Sequence, residues 1–367
     1  MGMRVKLDSP SWFYSRHDSD WNMKLMFAHE MAEFSPEIQE GLLFGLIYNA
    51  KFIISRFLPR FLRGPFAIFC SKARAFLLDE GDAFVLVSQG DNPPTPKGGL
   101  VIWETYFVPP QDHELAKGFA PGGSNFWIRQ LEQYGPRVAK IAVRGQYSAN
   151  LLKSLYPQFS SKVVDLSFVH PEYADIPESL VIEKQRMSFV TILFVGRMAR
   201  YKGLERLLKS LVNLRALGVD NFELVVVSDF IDGAIKIPSC DWIKIRGGLP
   251  HCEVMKLFAQ AQIFVMPSLH ESYGLVYLES MSSGCVTFVP DEPVQREFVA
   301  DGDAGIVVDS FDIPKITGEL RKVLEDPEKR VMLAKKGLHR YRTVYSQRVE
   351  REKWRTVFNA IGAKYDA

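Results

Sequence analysis

The second half of the chain alternates between short apolar runs and segments whose apolar residues recur at helical spacing. Apolar runs rich in β-branched residues predict buried parallel strands, and leucines three and four residues apart predict amphipathic helices. The predicted strands cover 189–195, 222–227, 242–245, 263–266 and 286–289, and the predicted helices cover 204–217, 254–261 and 277–283. Regular βα alternation indicates a doubly wound α/β sheet, in which ligands bind at the carboxyl ends of the strands.

The first half repeats this pattern less regularly. Strands are predicted at 83–87, 100–103, 141–143 and 163–169, with a helix at 148–156. A polar stretch at 172–187 is typical of a linker, and the tail from 327 onward is helical and charged. We therefore predict a first α/β domain over 1–173, a linker over 174–188, a second domain over 189–345 and a C-terminal helix over 346–367.

Composition narrows the class of protein. The chain has 367 residues, of which 47% are hydrophobic and 24% charged, so it can bury two cores and is not disordered. Its 45 Lys and Arg residues against 43 Asp and Glu leave a net charge of +2, which argues against nucleic acid as a partner. No signal peptide or membrane-spanning stretch is expected, which favours a cytoplasmic location. Cysteines and histidines lack metal-ligand spacing, so no metal site is expected.

Two segments carry candidate chemistry. In 267–284 (PSLHESYGLVYLESMSSG) a predicted strand leads through a short loop to a helix beginning near Gly274, whose free amides could bind a phosphate. Glu271 and Glu279 flank this turn and could accept hydrogen bonds from hydroxyls. In 195–203 (VGRMARYKG) three cations stand at another helix start, where the helix dipole disfavours them, which points to an anionic ligand. The alternatives are solvated helix residues and a solvated basic loop.

These motifs resemble those of the GT-B-fold glycosyltransferase family 4, whose members are retaining enzymes that use nucleotide-sugar donors. Residues 194–203 resemble the diphosphate loop of that family, 246–261 the loop that meets the base, and 267–284 its E-x7-E motif. The stretch 297–309 and the first-domain segment 141–171 also match in order. The resemblance implies two facing Rossmann-like α/β domains, with a C-terminal helix that crosses back to the first.

The resemblance also implies roles for individual residues. The cations and the helix amides would stabilise the negative charge on the departing nucleoside diphosphate, with no metal or other cofactor. The transfer would retain the configuration of the anomeric carbon. Glu271 would bind hydroxyls of the donor sugar and Glu279 the ribose. The implied catalytic residues are Glu271, Arg197 and Lys202, and Glu104 is the first-domain candidate, at the end of a strand where many members of the family have a histidine. The implied donor-binding residues are Gly196, Ser272, Tyr273, Gly274, Leu275, Val276, Glu279 and Leu249.

The function expected from this resemblance is transfer of a hexose-type sugar to a hydroxyl of a glycan or lipid-linked acceptor, in the synthesis of cell-surface polysaccharide or glycolipid. One alternative is a sugar-nucleotide epimerase of the same fold, and another is a degenerate binding subunit. The alternative for Glu104, at the end of a first-domain strand, is a carboxylate that lies in solvent or in an ion pair. The triplets 18–20 and 301–303 have the D-x-D pattern of metal-dependent transferases, but neither follows a strong apolar strand, which favours turns.

Residues 42–74 mix basic and bulky apolar side chains. Between 41 and 78 there is no acidic residue, and the basic ones are Lys51, Arg56, Arg60, Arg63, Lys72 and Arg74. Such a mixture suits a segment that lies on an anionic membrane surface, which would make the protein peripheral on the inner face of the membrane. The alternative is a helix pair whose apolar residues form core and whose basic residues are solvated.

Overall fold

The computed structural model describes residues 4–7, 37–38, 54, 57–78, 84–89, 93–97, 99–104, 123–166, 173, 176–196, 200–269, 271 and 273–362. The chain divides into two compact units. The first comprises Met1–Pro171 together with Gln347–Ala367, and the second comprises Glu172–Ser346. Each unit contains a six-stranded parallel sheet, so the prediction of an α/β fold is confirmed.

The first unit is built on a sheet with the strand order β2-β1-β3-β4-β5-β6. Its strands are β1 (Arg4–Leu7), β2 (Glu37–Ile38), β3 (Phe84–Gln89), β4 (Gly99–Glu104), β5 (Lys140–Val143) and β6 (Val163–Asp165). The α-helices described before residue 171 are α1 (Arg60–Leu78), α2 (Gly123–Tyr134) and α3 (Gln146–Leu155). Trp103 and Ile141, from neighbouring strands, are fully buried in its core. Of the helices in the described part of the chain, none is long and apolar enough to cross a membrane.

The second unit has the strand order β12-β11-β10-β7-β8-β9. Its strands are β7 (Val190–Val195), β8 (Phe222–Val227), β9 (Ile243–Arg246), β10 (Ile263–Val265), β11 (Val286–Pro290) and β12 (Ile306–Val308). Its helices are α4 (Glu178–Gln185), α5 (Leu204–Ala216), α6 (His251–Gln260), α7 (Leu275–Ser282), α8 (Pro293–Phe298), α9 (Ile313–Glu325) and α10 (Pro327–Arg340).

The strand order of the second sheet reverses direction between β7 and β10. From β7 the chain adds β8 and β9 on one side, and then returns to place β10, β11 and β12 on the other. These two strands are direct neighbours, with Ile263 in register with Ile192. Doubly wound sheets bind ligands at the carboxyl ends of such a strand pair, where the strand order reverses.

The last helix, α11 (Gln347–Ala360), belongs to the first unit. Trp354 and Phe358 are fully buried there, and Lys353 pairs with Asp165 at the end of β6, with the Lys353 Nζ 3.2 Å from the Asp165 carboxylate. The chain therefore returns to the first unit after completing the second, as the fold prediction requires.

Residues 174–188, which were predicted as the linker from their polar composition, are part of the second compact unit. They contain α4, whose Val181 and Gln185 are fully buried against the second unit. The Gln185 amide nitrogen donates to the carbonyl oxygens of Gln262 and Gly284, at 2.9 and 2.8 Å. Within this polar segment, the Gln185 side chain thus satisfies buried backbone groups instead of facing solvent.

A buried arginine completes the attachment of α4. The guanidinium of Arg330, only 1% exposed, donates to the carbonyl oxygens of Gln185 and Met187. The same group donates to Val323 and Leu324 at the end of α9. One side chain therefore joins α4, α9 and α10.

We expect Arg330→Met to lower the free energy of unfolding by about 3 kcal/mol or more, because each buried carbonyl left without its donor costs about 1–3 kcal/mol. Urea denaturation of the full chain measures this difference. Arg321→Met is the matched control, since Arg321 makes only a surface pair with Glu325 on α9. Its cost should stay below about 0.5 kcal/mol. Equal losses in the two variants would contradict the role given to Arg330.

Candidate active site at the switch point of the second sheet

The loops that follow β7 and β10 carry the two predicted motifs and lie side by side. The main-chain amide of Leu269 donates to the carbonyl oxygen of Tyr201, 3.1 Å away, and the Arg206 guanidinium donates to that of Pro267 at 2.9 Å. Gly203 ends the first loop with φ +91°, and a Cβ at this position would stand 2.1 Å from the Pro267 oxygen. Only glycine allows the two loops to approach this closely.

Lys202 and Glu271 form an ion pair across these loops. The Lys202 Nζ donates to Oε2 of Glu271, and the two side chains are 20% and 13% exposed. A solvated basic loop, the alternative considered for 195–203, does not describe Lys202. The second described cation of that loop, Arg200, lies 3.7 Å from Asp232. Both described cations of the loop therefore have a carboxylate partner, a feature that the sequence pattern did not predict.

The turn before α7 is tightly constrained. Gly274 has φ +92°, and an added Cβ would lie 2.6 Å from the Tyr277 ring and 2.8 Å from the Glu271 side chain. Tyr277 is fully buried and donates its hydroxyl to the carbonyl oxygen of Met266. The first-turn amides of Leu275 and Val276 have no acceptor within the helix, as at any helix start, and are available to an anion.

Gln295 holds the same turn, and no pattern in the sequence predicted this role. It is fully buried on α8, and its amide nitrogen donates to the carbonyl oxygens of Glu271 and Tyr273 at 3.1 and 2.7 Å. The Tyr273 ring is also buried, edge-on to Phe298 with 5.0 Å between ring centroids. Tyr273 was predicted to bind the donor sugar nucleotide. Because its ring is buried, only its main chain is available for such a contact.

Glu279 lies on α7 with its side chain 12% exposed, so it is not the solvated helix residue considered as an alternative. Its Oε1 is 2.9 Å from Nε2 of His251 and accepts a hydrogen bond from the Tyr173 hydroxyl at 3.3 Å. His251 begins α6, inside the segment 246–261 predicted to meet the base. Tyr173 is more than a hundred residues away in the sequence, so no local pattern could have identified it.

The hydrogen bond to Glu279 raises the pKa of His251 above its ordinary value, and the negative charge of Glu279 acts in the same direction. Partial burial of the imidazole opposes both effects. Burial raises the pKa of Tyr173 well above its ordinary value, and the charge of Glu279 adds to this shift, so the phenol remains a hydrogen-bond donor. Oε1 of Glu279 therefore has two polar neighbours, the hydroxyl of Tyr173 and Nε2 of His251.

The remaining predicted residues fall in different parts of the chain. Gly196 directly follows β7, and its amide donates to the carbonyl oxygen of Val227. Leu249 is half-buried in the segment between β9 and α6. Arg197 and Ser272 lie outside the described residues. Glu104 is the last residue of β4 in the first unit, in register with Ala142, and the structure does not describe its side chain.

Within the described ranges, no three His, Cys, Asp or Glu side chains are grouped so that they could hold a metal ion. The triplet 301–303 lies in a turn in which Asp301 has φ 54°. Asp301 pairs with Arg296 and Asp303 with Lys336, which fits the prediction of a turn. The triplet 18–20 lies outside the described residues.

Comparison with known sequences shows that most of the second unit matches a known protein family. The profile of the family described as "Glycosyl transferases group 1" matches residues 176–340, which include all of β7–β12. This part of the chain belongs to that family. An alpha-D-kanosaminyltransferase of Streptomyces kanamyceticus is 26% identical over 179 residues, which cover 47% of this chain and 46% of the relative.

A second relative aligns over a longer part of the chain. It is a GDP-mannose-dependent monoacylated alpha-(1-6)-phosphatidylinositol monomannoside mannosyltransferase of Corynebacterium glutamicum, 25% identical over 244 residues, which cover 61% of this chain and 62% of the relative. The chain thus covers less than two thirds of the length of either relative. The crystal structure of WaaG, a glycosyltransferase involved in lipopolysaccharide biosynthesis, superimposes with a TM-score of 0.65 at 14% identity, covering 98% of this chain and all of that one. The chain therefore has the GT-B fold.

The contact between His251 and Glu279 should make stability depend on pH. Because the folded-state pKa of His251 is raised, the contact stabilises fully below the unfolded-state pKa of about 6.5 and is lost as pH rises through the folded-state pKa. We therefore expect His251→Ala to cost more free energy of unfolding at about pH 5.5 than at about pH 8.5. Urea denaturation at both pH values measures this difference.

His339→Ala, which removes an exposed imidazole on α10, is the control for general effects of histidine titration. In a Glu279→Gln background the pH dependence of the His251→Ala cost should vanish. The same cost at both pH values in the wild-type background would contradict the proposed ionic contact.

Proposed function

We propose that this protein transfers a hexose-type sugar from a nucleoside diphosphate sugar to a hydroxyl of an acceptor, with retention at the anomeric carbon and without a metal ion. The observation that carries the proposal is the Lys202–Glu271 pair at the switch point of a group 1 domain, beside the start of α7. A cation, a carboxylate and free helix amides at one sheet edge are suited to a diphosphate and a sugar.

The barrier in such a transfer is departure of the nucleoside diphosphate, because negative charge grows on its bridging oxygen. Lys202 and the amides of Leu275 and Val276 would stabilise that charge, and Arg197 is assigned to the same role. The amides of Leu275 and Val276 are held in place by the closely packed turn at Gly274, so they need little reorganisation as the charge develops. Removal of one such donor typically slows the reaction by about 10²–10³.

Donor binding must exchange the partners found here. Lys202 would turn from Glu271 to the diphosphate, which frees the Glu271 carboxylate to accept hydrogen bonds from the sugar hydroxyls. Glu279 would likewise accept from the ribose, in competition with His251 and Tyr173. Each buried charge keeps a partner in both states, which avoids the high cost of an unpaired buried ion.

The acceptor is proposed to be a glycan or a lipid-linked molecule, and Glu104 is proposed as the first-domain group near the reacting centre. The named substrate of the Corynebacterium relative is a phosphatidylinositol mannoside, and WaaG acts in lipopolysaccharide biosynthesis. We also propose contact with an anionic membrane through residues 42–74. Of these residues the structure describes 54 and 57–74, and Arg74 is buried, so it does not belong to the contact surface.

The decisive experiment screens UDP-, GDP- and ADP-linked sugars by thermal shift and follows nucleoside diphosphate release from the one that binds, since a bound donor stabilises the fold. Lys202→Met and Glu271→Gln should each slow release by about 10²–10³ or more. Lys209→Met, which removes a surface lysine paired with Glu205 on α5, is the matched control and should leave the rate unchanged.

Turnover of Lys202→Met or Glu271→Gln at the rate of the control would contradict the assignment. Release of the diphosphate with an epimerised sugar, in the absence of any acceptor, would favour the epimerase alternative. Donor binding without release under any condition would favour the binding-subunit alternative.

A further inference from the structure

A cavity of about 240 Å³ opens in the first unit beside α1. Its walls come from the second half of α1, from the turn at 95–97 that precedes β4, and from the end of α2 and the residues after it, which precede β5. All three segments lie before strands, so the cavity is at the amino edge of the first sheet. Ligands of parallel α/β sheets bind at the opposite, carboxyl edge, where β4 ends on Glu104, so this cavity is distinct from a ligand site of that kind.

The cavity is positively charged. Lys72, Lys97 and Arg137 all line it, all are exposed, and no acidic side chain is among the lining residues. No ion pair of these three cations is found in the described part of the chain. The hydroxyls of Ser71 and Tyr134 add polar groups to the wall. Burial raises the pKa of Tyr134, which keeps its phenol protonated. A lysine and an arginine facing one small cavity are suited to a phosphate oxygen cluster.

An exposed apolar stripe on α1 adjoins this cavity. Residues at alternating intervals of three and four share one helix face and point away from the core: Leu62, Pro65, Phe69, Lys72 and Phe76. Phe69 and Phe76 are 65% and 81% exposed, and Phe57, just before the helix, is 84% exposed. The opposite face of α1 is buried through Cys70, Arg74 and Leu78. The stripe is therefore not core, which excludes for these residues the helix-pair interpretation of 42–74.

The stripe and the cavity form one surface, because Lys72 and Phe76 belong to both. Aromatic side chains beside a basic pocket match the two layers of a membrane surface, in which acyl chains lie next to phosphate headgroups. A second copy of the chain is a poorer occupant. A two-fold contact through this surface would bring each copy's uncompensated cations toward those of the other copy.

We propose that the surface formed by the α1 stripe and the basic cavity docks the protein on an anionic phospholipid membrane, with a lipid phosphate in the cavity and Phe69 and Phe76 at the acyl boundary. The inference rests on the membrane contact proposed above and not on glycosyl transfer. It adds Lys97 and Arg137, which are distant in sequence from 42–74. Because the cavity is at the amino edge of the sheet, this contact anchors the protein and is separate from acceptor binding.

Cosedimentation of the full chain with vesicles tests the proposal. We expect binding to equimolar phosphatidylcholine and phosphatidylglycerol, and much weaker binding to phosphatidylcholine alone. Lys97→Ala with Arg137→Ala should weaken binding to the mixed vesicles about thirty-fold, since each basic residue near an anionic surface contributes roughly a factor of five to six. Lys315→Ala with Arg348→Ala removes two exposed cations elsewhere and should retain wild-type binding. Phe69→Ser with Phe76→Ser should weaken binding even at low salt.

Each of the following three results would contradict the proposal. Equal binding of the two double charge variants would mean that only net charge matters. If inorganic phosphate or glycerophosphate bound the protein while vesicles did not, the cavity would be a site for soluble phosphate esters. A dimer in the absence of lipid that dissociates in Phe69→Ser/Phe76→Ser would assign the stripe to a second copy. Thermal shifts by nucleotide sugars, measured in the same preparations, should be unchanged in all variants, so a failure of the donor proposal would be seen separately.

Discussion

The reversal of strand order between β7 and β10 is the constraint on which the arrangement of the second unit depends. In a parallel sheet every strand delivers its next loop to the same edge, and at the reversal two such loops have no crossing helix between them. The segments after Val195 and Val265 therefore meet, although about 70 residues separate them along the chain. Their contact brings Lys202 to Glu271 and fixes Gly203 against the Pro267 carbonyl.

The charged groups at this edge are already paired with one another. Lys202 and Arg200 have carboxylate partners, and Glu279 has an imidazole and a phenol. A ligand that carries both phosphates and hydroxyls can replace such partners one for one, so that no buried charge is left alone during the exchange. The site would then be specific for a ligand that carries both phosphates and hydroxyls. A ligand with only one kind of group would break an ion pair and leave one of its two members without a new partner.

The first unit presents different chemistry at its two sheet edges. At the carboxyl edge β4 ends on Glu104, whereas the amino edge carries three exposed cations and the aromatic stripe of α1. In the functions proposed above, the acceptor and the membrane would therefore contact different edges of this sheet. The basic residues of 42–74 are not equivalent, because Lys72 is exposed while Arg74 on the same helix is buried.

The sequence by itself determined the fold class, five of the six described strands of the second unit to within one residue at each end, and the motifs that meet at its ligand edge. Apolar periodicity and turn glycines are local properties, so they can be seen in a single segment. Only the tertiary structure decided the pairing of Lys202 with Glu271, the contacts of Glu279 with His251 and Tyr173, and the docking of α4 by Arg330. It also brought Lys97 and Arg137 to the same cavity as Lys72. These contacts join residues that are far apart along the chain, and a polar side chain has the same local pattern whether it faces water or a buried partner.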